Sequence, residues 1–400
     1  MNFVFVSLQR INTDRESTST SLAKELAKKH SVLFVNPPID RKTLLSKNNN
    51  RYVKEHIKLV KKGRAELMNL SDNLYVLNTS TILESINWIP STKIFSLFNY
   101  ANNRRFAKDI KEALLELNFD SFILINDKDI FRSFYLKELL KPYLYIYLDR
   151  DYTLGIDYWK KHGSGLEPKL IKKSDLVICN SNDFVKSAKK YNSNSFYIGN
   201  GVDLELFNSD LLHDIPERLK LIEKPIIGYV GALNSLRLDL NLMIQIASAR
   251  PEYNFVLIGE EDKEFSESVL HEMKNVHFYG KIDKKNIPSY VSHFDVCINP
   301  QLLNEITIGN FPLKIVEYLA MGKPVVAKST NTMKEVFTGY TYLADDSVEF
   351  ADLISKALSE NNFSLHLERI SFAKGFSWEK VVLLLEESIK TTIGVNERLI

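Results

Sequence analysis

Lys314 and Glu317 are the pair whose types and spacing most directly suggest chemistry. They sit in residues 310–327, NFPLKIVEYLAMGKPVVA. Three positions apart on a helix, a lysine and a glutamate share one face. From that face the cation can meet a diphosphate while the carboxylate accepts hydrogen bonds from the hydroxyls of a sugar ring. Pro312 suits the first helical position, Gly322 a left-handed C-cap, and Pro324 opens an apolar β-branched run. The string therefore predicts loop, short helix, stop and buried strand. The helix N-terminus gathers unpaired N–H groups and the positive end of the dipole, which makes Asn310, Pro312, Leu313 and Lys314 a candidate phosphate seat. An ordinary capped helix with a surface Lys–Glu pair is the alternative that this stretch leaves open.

A second constellation is Asp149-Arg150-Asp151-Tyr152, which ends an apolar run at residues 144–148. A carboxylate at the carboxyl end of a strand could take a proton from an attacking hydroxyl. Arg150 could equally hold either aspartate in a structural ion pair. Residues 3–8 form an earlier strand, and the polar loop after it carries Gln9, Arg10 and Asp14, on the rim where open α/β sheets gather ligands. The hydroxyls of residues 17–21 fit a helix cap or that rim equally well.

The elements that must position these groups alternate. Short β-branched and aromatic runs at 3–8, 32–35, 121–125, 144–148 and 175–179 are separated by helical patterns, and a fresh series starts at 225–230. That is the pattern of parallel sheets covered by helices. A chain of 400 residues with 44% hydrophobic content is large enough for two domains. With 52 Lys and Arg against 50 Asp and Glu, its overall charge favours neither nucleic acid nor membrane. Cys179 and Cys297 both lie in apolar runs, so neither a disulfide frame nor a zinc site is expected, and a reducing, cytoplasmic setting is. Residue 1 leads directly into FVFVSL, so no signal peptide is expected, and no window approaches the roughly 18 to 20 apolar residues of a membrane span.

The order IIGYVGAL, FVLIGE, VHFYGKI, FDVCINP and FPLKIVEYLAMGKPVVA resembles the nucleotide-sugar domain of GT-B glycosyltransferases, nearest to the family 4-like group. SFYIGNGVDLELF resembles that group's interdomain crossing, and FVSLQR, VLFVNPP, YLDRDY and DLVICNS extend the resemblance into the first half. It implies two Rossmann-like doubly wound α/β domains facing a central cleft. Residues 1–200 would bind the acceptor and residues 201–375 the nucleotide sugar, with a helix from 376–400 returning to the first domain. It further implies that Glu317 binds the nucleotide ribose, that Lys314 lies near the diphosphate, and that Gly231 underlies the phosphates with Arg237 close by. Tyr279 joins this donor-side set. Group members commonly carry a glutamate eight positions before the ribose-binding one, where this chain has Gly309. In related inverting enzymes the base is a first-domain aspartate, which corresponds to Asp151 in preference to Asp149.

The resemblance implies transfer of a sugar from a nucleoside diphosphate donor, uridine-linked, to a hydroxyl on a glycan or lipid-linked acceptor in cell-surface polysaccharide or glycolipid synthesis. No metal or other cofactor is expected. An epimerase of the same fold and a non-catalytic sugar-nucleotide binder are the alternatives. Residues 41–64 carry nine cations against Glu55 alone, and residues 88–105 are rich in aromatic and apolar side chains before Arg104 and Arg105. Together they suggest peripheral contact with the inner face of a cell membrane. A solvated loop beside a buried helix is the alternative, and no RNP, helix-turn-helix or zinc-finger spacing points to nucleic acid.

Overall fold

The computed structural model describes residues 1–13, 17–47, 50–307 and 309–397, with side chains described through 394. Asp14, expected on the rim of the first sheet, lies outside the described residues. The chain divides into two compact units, Met1–Gly199 with Val381–Ile400, and Asn200–Lys380.

Among the described residues of the first unit, one sheet is built from β1 (Asn2–Ser7), β2 (Ser31–Val35), β3 (Glu66–Ser71), β4 (Leu74–Asn78), β5 (Ile123–Asp127), β6 (Leu144–Asp149), β7 (Leu176–Cys179) and β8 (Ser195–Tyr197). The order across the sheet is β8-β7-β6-β5-β1-β2-β4-β3, and only the β3–β4 pair is antiparallel. Parallel strands covered on both faces read as continuous apolar runs, which is why Phe3 to Val6 and Leu144 to Leu148 are buried without alternation. The helices of this unit include α1 (Thr18–Ala27), α2 (Arg51–Lys61), α3 (Thr92–Glu116) and α4 (Asp157–Lys173). Ser17 caps α1 in a reciprocal box: its hydroxyl accepts from the Thr20 N–H, and its own N–H donates to the Thr20 hydroxyl at 2.8 Å. Within 17–21, then, Ser17 and Thr20 serve as a cap.

The second unit holds β9 (Ile226–Val230), β10 (Asn254–Ile258), β11 (Val276–Gly280), β12 (Val296–Asn299), β13 (Val325–Lys328) and β14 (Tyr342–Ala344), all parallel, in the order β11-β10-β9-β12-β13-β14. α5 (Leu240–Ala249) follows the first strand, its cap formed by Asp239 accepting from the Leu242 N–H, and α6 (Leu313–Ala320) precedes β13. Gly322 ends α6 at φ +69°, the left-handed conformation that a glycine stop requires. Trp378 opens α7 (Trp378–Glu397), and its ring fills the space where a Cβ on Gly201 would stand. Farther along α7, Glu386 accepts from His30 Nε2 at 2.9 Å within the first unit.

Candidate functional site

In both sheets the strand order reverses beside the first strand of the unit, between β1 and β5 and between β9 and β12. Open α/β sheets bind ligands beyond the carboxyl ends of the strands at such switch points. The candidate residues fall at these two places.

In the second unit, β9 runs into Gly231, whose φ of +146° suits glycine; a Cβ there would lie 2.5 Å from Lys314 Nζ. Lys314 reaches this point from the second position of α6. Its ammonium sits 3.9 Å from the centroid of the Tyr229 ring and donates to the Tyr229 hydroxyl. Lys314 is partly buried. Burial pushes its pKa down to about 7; Glu317, one turn on, opposes the shift and Arg237 adds to it. Tyr318 fixes the strand end by accepting the Val230 N–H at 2.8 Å. Gly231 and Lys314 are thus brought together, with Glu317 one turn along α6 and Arg237 near enough to act on the lysine's charge, and Tyr229 is a member that the spacing of the sequence did not single out. Its signal was available as the aromatic residue before Val230-Gly231.

Other expectations in this unit are corrected. Pro312 is the N-cap of α6 and not its first helical residue. Asn310 spends its N–H on the Thr307 carbonyl at 3.1 Å, which leaves Leu313 and Lys314 as the first helical N–H groups without an intrahelical acceptor. Tyr279 is only 7% exposed; its hydroxyl donates to the Arg218 carbonyl at 2.9 Å and its ring lies under the Arg218 guanidinium at 4.0 Å. Those contacts make it a packing residue of β11. Gly309 has φ +76°, a conformation in which a glutamate would be strained.

In the first unit, β6 ends in Asp149, which is enclosed. Lys128, following β5, pairs with Asp149 and with Glu167 of α4, the latter at 2.7 Å. Burial raises the Asp149 pKa to about 6, Lys128 pulls it back and Glu167 pushes it further up. A carboxylate locked against a buried lysine cannot meet a substrate hydroxyl, so Asp149 is withdrawn as a candidate base. Arg150 takes Asp127 with Nε and Nη2 at 2.6 and 3.2 Å, and Asp151 with Nη1 at 2.6 Å. Asp151 keeps 37% of its side chain exposed. It is the carboxylate of the expected pair that remains accessible.

Gln9 is exposed, and its N–H donates to Ser7 Oγ at 3.0 Å. Arg10 turns inward: Nη2 contacts the Pro37 carbonyl and His56 Nδ1, each at 2.9 Å. His56 was not singled out in the sequence because it lies in the basic run, on a mostly exposed helix, α2, whose buried residues are His56 and Val60. Among the described residues, no helix is long and apolar enough to cross a membrane.

Residues 224–360 match the family described as glycosyl transferases group 1. The chain is 28% identical over 237 residues to a Bacillus subtilis protein named "Putative teichuronic acid biosynthesis glycosyltransferase TuaH", covering 56% of this chain and 58% of that protein. It is 26% identical over 243 residues to an uncharacterized 41.2 kDa protein in the cps region of Klebsiella pneumoniae, covering 56% and 64%. The chain thus spans about three fifths of the length of these relatives. Among solved structures, the sucrose-phosphate synthase of Thermosynechococcus elongatus superposes with a TM-score of 0.68 at 17% identity, covering 98% and 99% of the two chains. HepE of Anabaena in complex with UDP and glucose superposes with a TM-score of 0.64 at 14% identity, covering 98% and 100%. Residues 224–360 thus match a glycosyl transferases group 1 domain, and the chain shares the GT-B fold of the solved structures on which it superposes.

Proposed function

We propose that the protein transfers a sugar from a UDP-linked donor to a hydroxyl acceptor in cell-surface polysaccharide or glycolipid synthesis. The observation that carries this reading is the Lys314 ammonium, held over Tyr229 beside Gly231 at the switch point of the second sheet. As the glycosidic bond breaks, the departing diphosphate gains negative charge. A preorganised ammonium and the N–H groups opening α6 stabilise that charge without reorganising. Glu317 accepts the ribose hydroxyls. Asp151 takes the proton from the acceptor hydroxyl, and Arg150 positions its carboxylate. The UDP complex of HepE and the polysaccharide role in the name of TuaH agree with this choice of donor and pathway class. Incubation with a panel of UDP-sugars and cell-envelope glycan should release UDP in an acceptor-dependent way. Donor epimerisation without UDP release would replace transfer with epimerisation.

A second reading concerns location: the protein docks on an anionic membrane surface. Trp88, Leu97 and Phe98 are 75, 74 and 54% exposed, with Lys93, Arg104 and Lys108 exposed along the same helix as Leu97 and Phe98. Apolar and aromatic side chains beside cations suit the boundary between headgroups and acyl chains.

A further inference from the structure

Four cations collect at the carboxyl ends of β1, β5 and β6 in the first unit: Arg10, Lys128, Arg132 and Arg150. Three are matched by carboxylates. Lys128 has Asp149 and Glu167, Arg150 has Asp127 and Asp151, and Arg132 has Asp129 through Nε at 2.8 Å. Arg10 is different, because among the described residues it has no carboxylate partner. Its two acceptors, the Pro37 carbonyl and His56 Nδ1, are neutral. His56 Nε2 lies 2.7 Å from the Thr79 carbonyl, which can only accept, so that nitrogen carries the proton and Nδ1 is the lone pair facing Arg10. The imidazole is 1% exposed, and burial followed by the Arg10 charge pushes its pKa down to about 4. It therefore orients the guanidinium without neutralising it.

Arg10 itself is partly buried, and burial with the nearby charge of Arg132 lowers its pKa to about 10. Desolvating a guanidinium in the field of a second one is unfavourable unless an anion compensates. Arg10 follows β1 and Arg132 follows β5, the two strands between which the sheet order reverses. The loops there diverge, at the place where such sheets receive ligands. Arg132 uses Nε for Asp129, so its Nη groups remain as donors for a planar, two-pronged interaction.

We infer that Arg10 and Arg132 form an anchor for a phosphoryl or carboxylate group carried by the acceptor, so that the acceptor is an anionic glycan or glycan phosphate. This rests on the reading that the first unit binds the acceptor. His56 and Pro37 hold the Arg10 fork in position, and Asp129 does the same for Arg132. A neutral sugar would leave Arg10 uncompensated, which makes the pair a selector for charge.

The test is a calorimetric titration of glycerol 3-phosphate and of glucuronate into the full chain at constant ionic strength, with glycerol and glucose as neutral controls. Saturating UDP is present to occupy the Lys314 site, and the titration is repeated in the Lys314→Met protein without UDP. At least one anion should bind saturably in both settings while the neutral controls do not. A response to glycerol 3-phosphate alone assigns a phosphoryl acceptor, and one to glucuronate alone a uronic acid acceptor. Arg10→Gln and Arg132→Gln should each weaken that binding tenfold or more, with Arg10→Lys recovering part of it. UDP titration of the same variants verifies their folding, and if Arg10→Gln also loses UDP binding, Arg132→Gln decides by the same criterion. Anion binding unchanged in the variants, or no anion binding beyond the neutral controls, overturns the inference. Absence of UDP binding with the anion response intact would refute the donor reading and leave this one standing.

Discussion

The Lys314 ammonium lies 3.9 Å from the centre of the Tyr229 ring and donates to the hydroxyl of the same residue. The contact satisfies the cation only in part, since a neutral aromatic ring does not replace a carboxylate or phosphate. The folded-state pKa of Lys314 is about 7, against 10.5 for an unperturbed lysine. Between those values the unfolded chain binds more protons than the native one, so this group makes stability rise with pH across that window. Lys314→Met should therefore be more stable than wild type near pH 7, and the gap should narrow as pH approaches 10. Thermal unfolding of both proteins across that range measures the effect; a gap independent of pH contradicts it.

Gly231 bears on the same cation. Gly231→Ala forces a non-glycine residue to φ +146° and sets its Cβ 2.5 Å from Lys314 Nζ. The expected cost is about 1–3 kcal/mol of backbone strain, accompanied by displacement of the ammonium from Tyr229. Chemical denaturation should show the lower stability, and UDP titration a weaker affinity. A variant with wild-type values for both would remove Gly231 from the site.

The aspartates of the first unit separate by role. Asp151→Asn should abolish sugar transfer while changing stability by less than about 1 kcal/mol, because surface ion pairs contribute little and Arg150 keeps Asp127. Lys128→Met should destabilise by about 3–5 kcal/mol by stranding two buried carboxylates, Asp149 and Glu167. Denaturation midpoints alongside turnover distinguish the two cases. Wild-type turnover in Asp151→Asn would clear that residue of a base role.

These pairs also mark how far the sequence could be read. The alternation of apolar runs and helical patterns located the strands because parallel strands buried on both faces leave an unbroken apolar signature, as in Phe3–Val6. Lys314 and Glu317 were legible because helix spacing fixes which side chains share a face. What each candidate actually touches was not legible. Tyr279 is consumed by Arg218 and Asp149 by Lys128, and both partners come from distant points of the chain. Arg10 and His56 meet across 46 residues, a contact that depends on how α2 packs and leaves no local pattern.

Membrane docking predicts that the protein co-sediments with vesicles containing phosphatidylglycerol and not with phosphatidylcholine alone. Trp88→Ser together with Leu97→Ser should reduce the bound fraction, as should raising the salt concentration. Equal binding to both vesicle types, or no effect of the substitutions, would contradict a docking face at these residues.

The switch point of the second sheet should bind a nucleoside diphosphate through Lys314 and Glu317. Calorimetric titration of UDP into wild type, Lys314→Met and Glu317→Ala addresses it most directly. At about 1.5–3 kcal/mol for a hydrogen bond to a charged group, each substitution should weaken UDP binding by about tenfold or more. At pH 8 the wild type should also take up protons on binding, because the diphosphate restores the charge of Lys314. Saturable wild-type binding with both losses is the predicted result; equal affinity in all three proteins, or no binding to the wild type, would contradict the account.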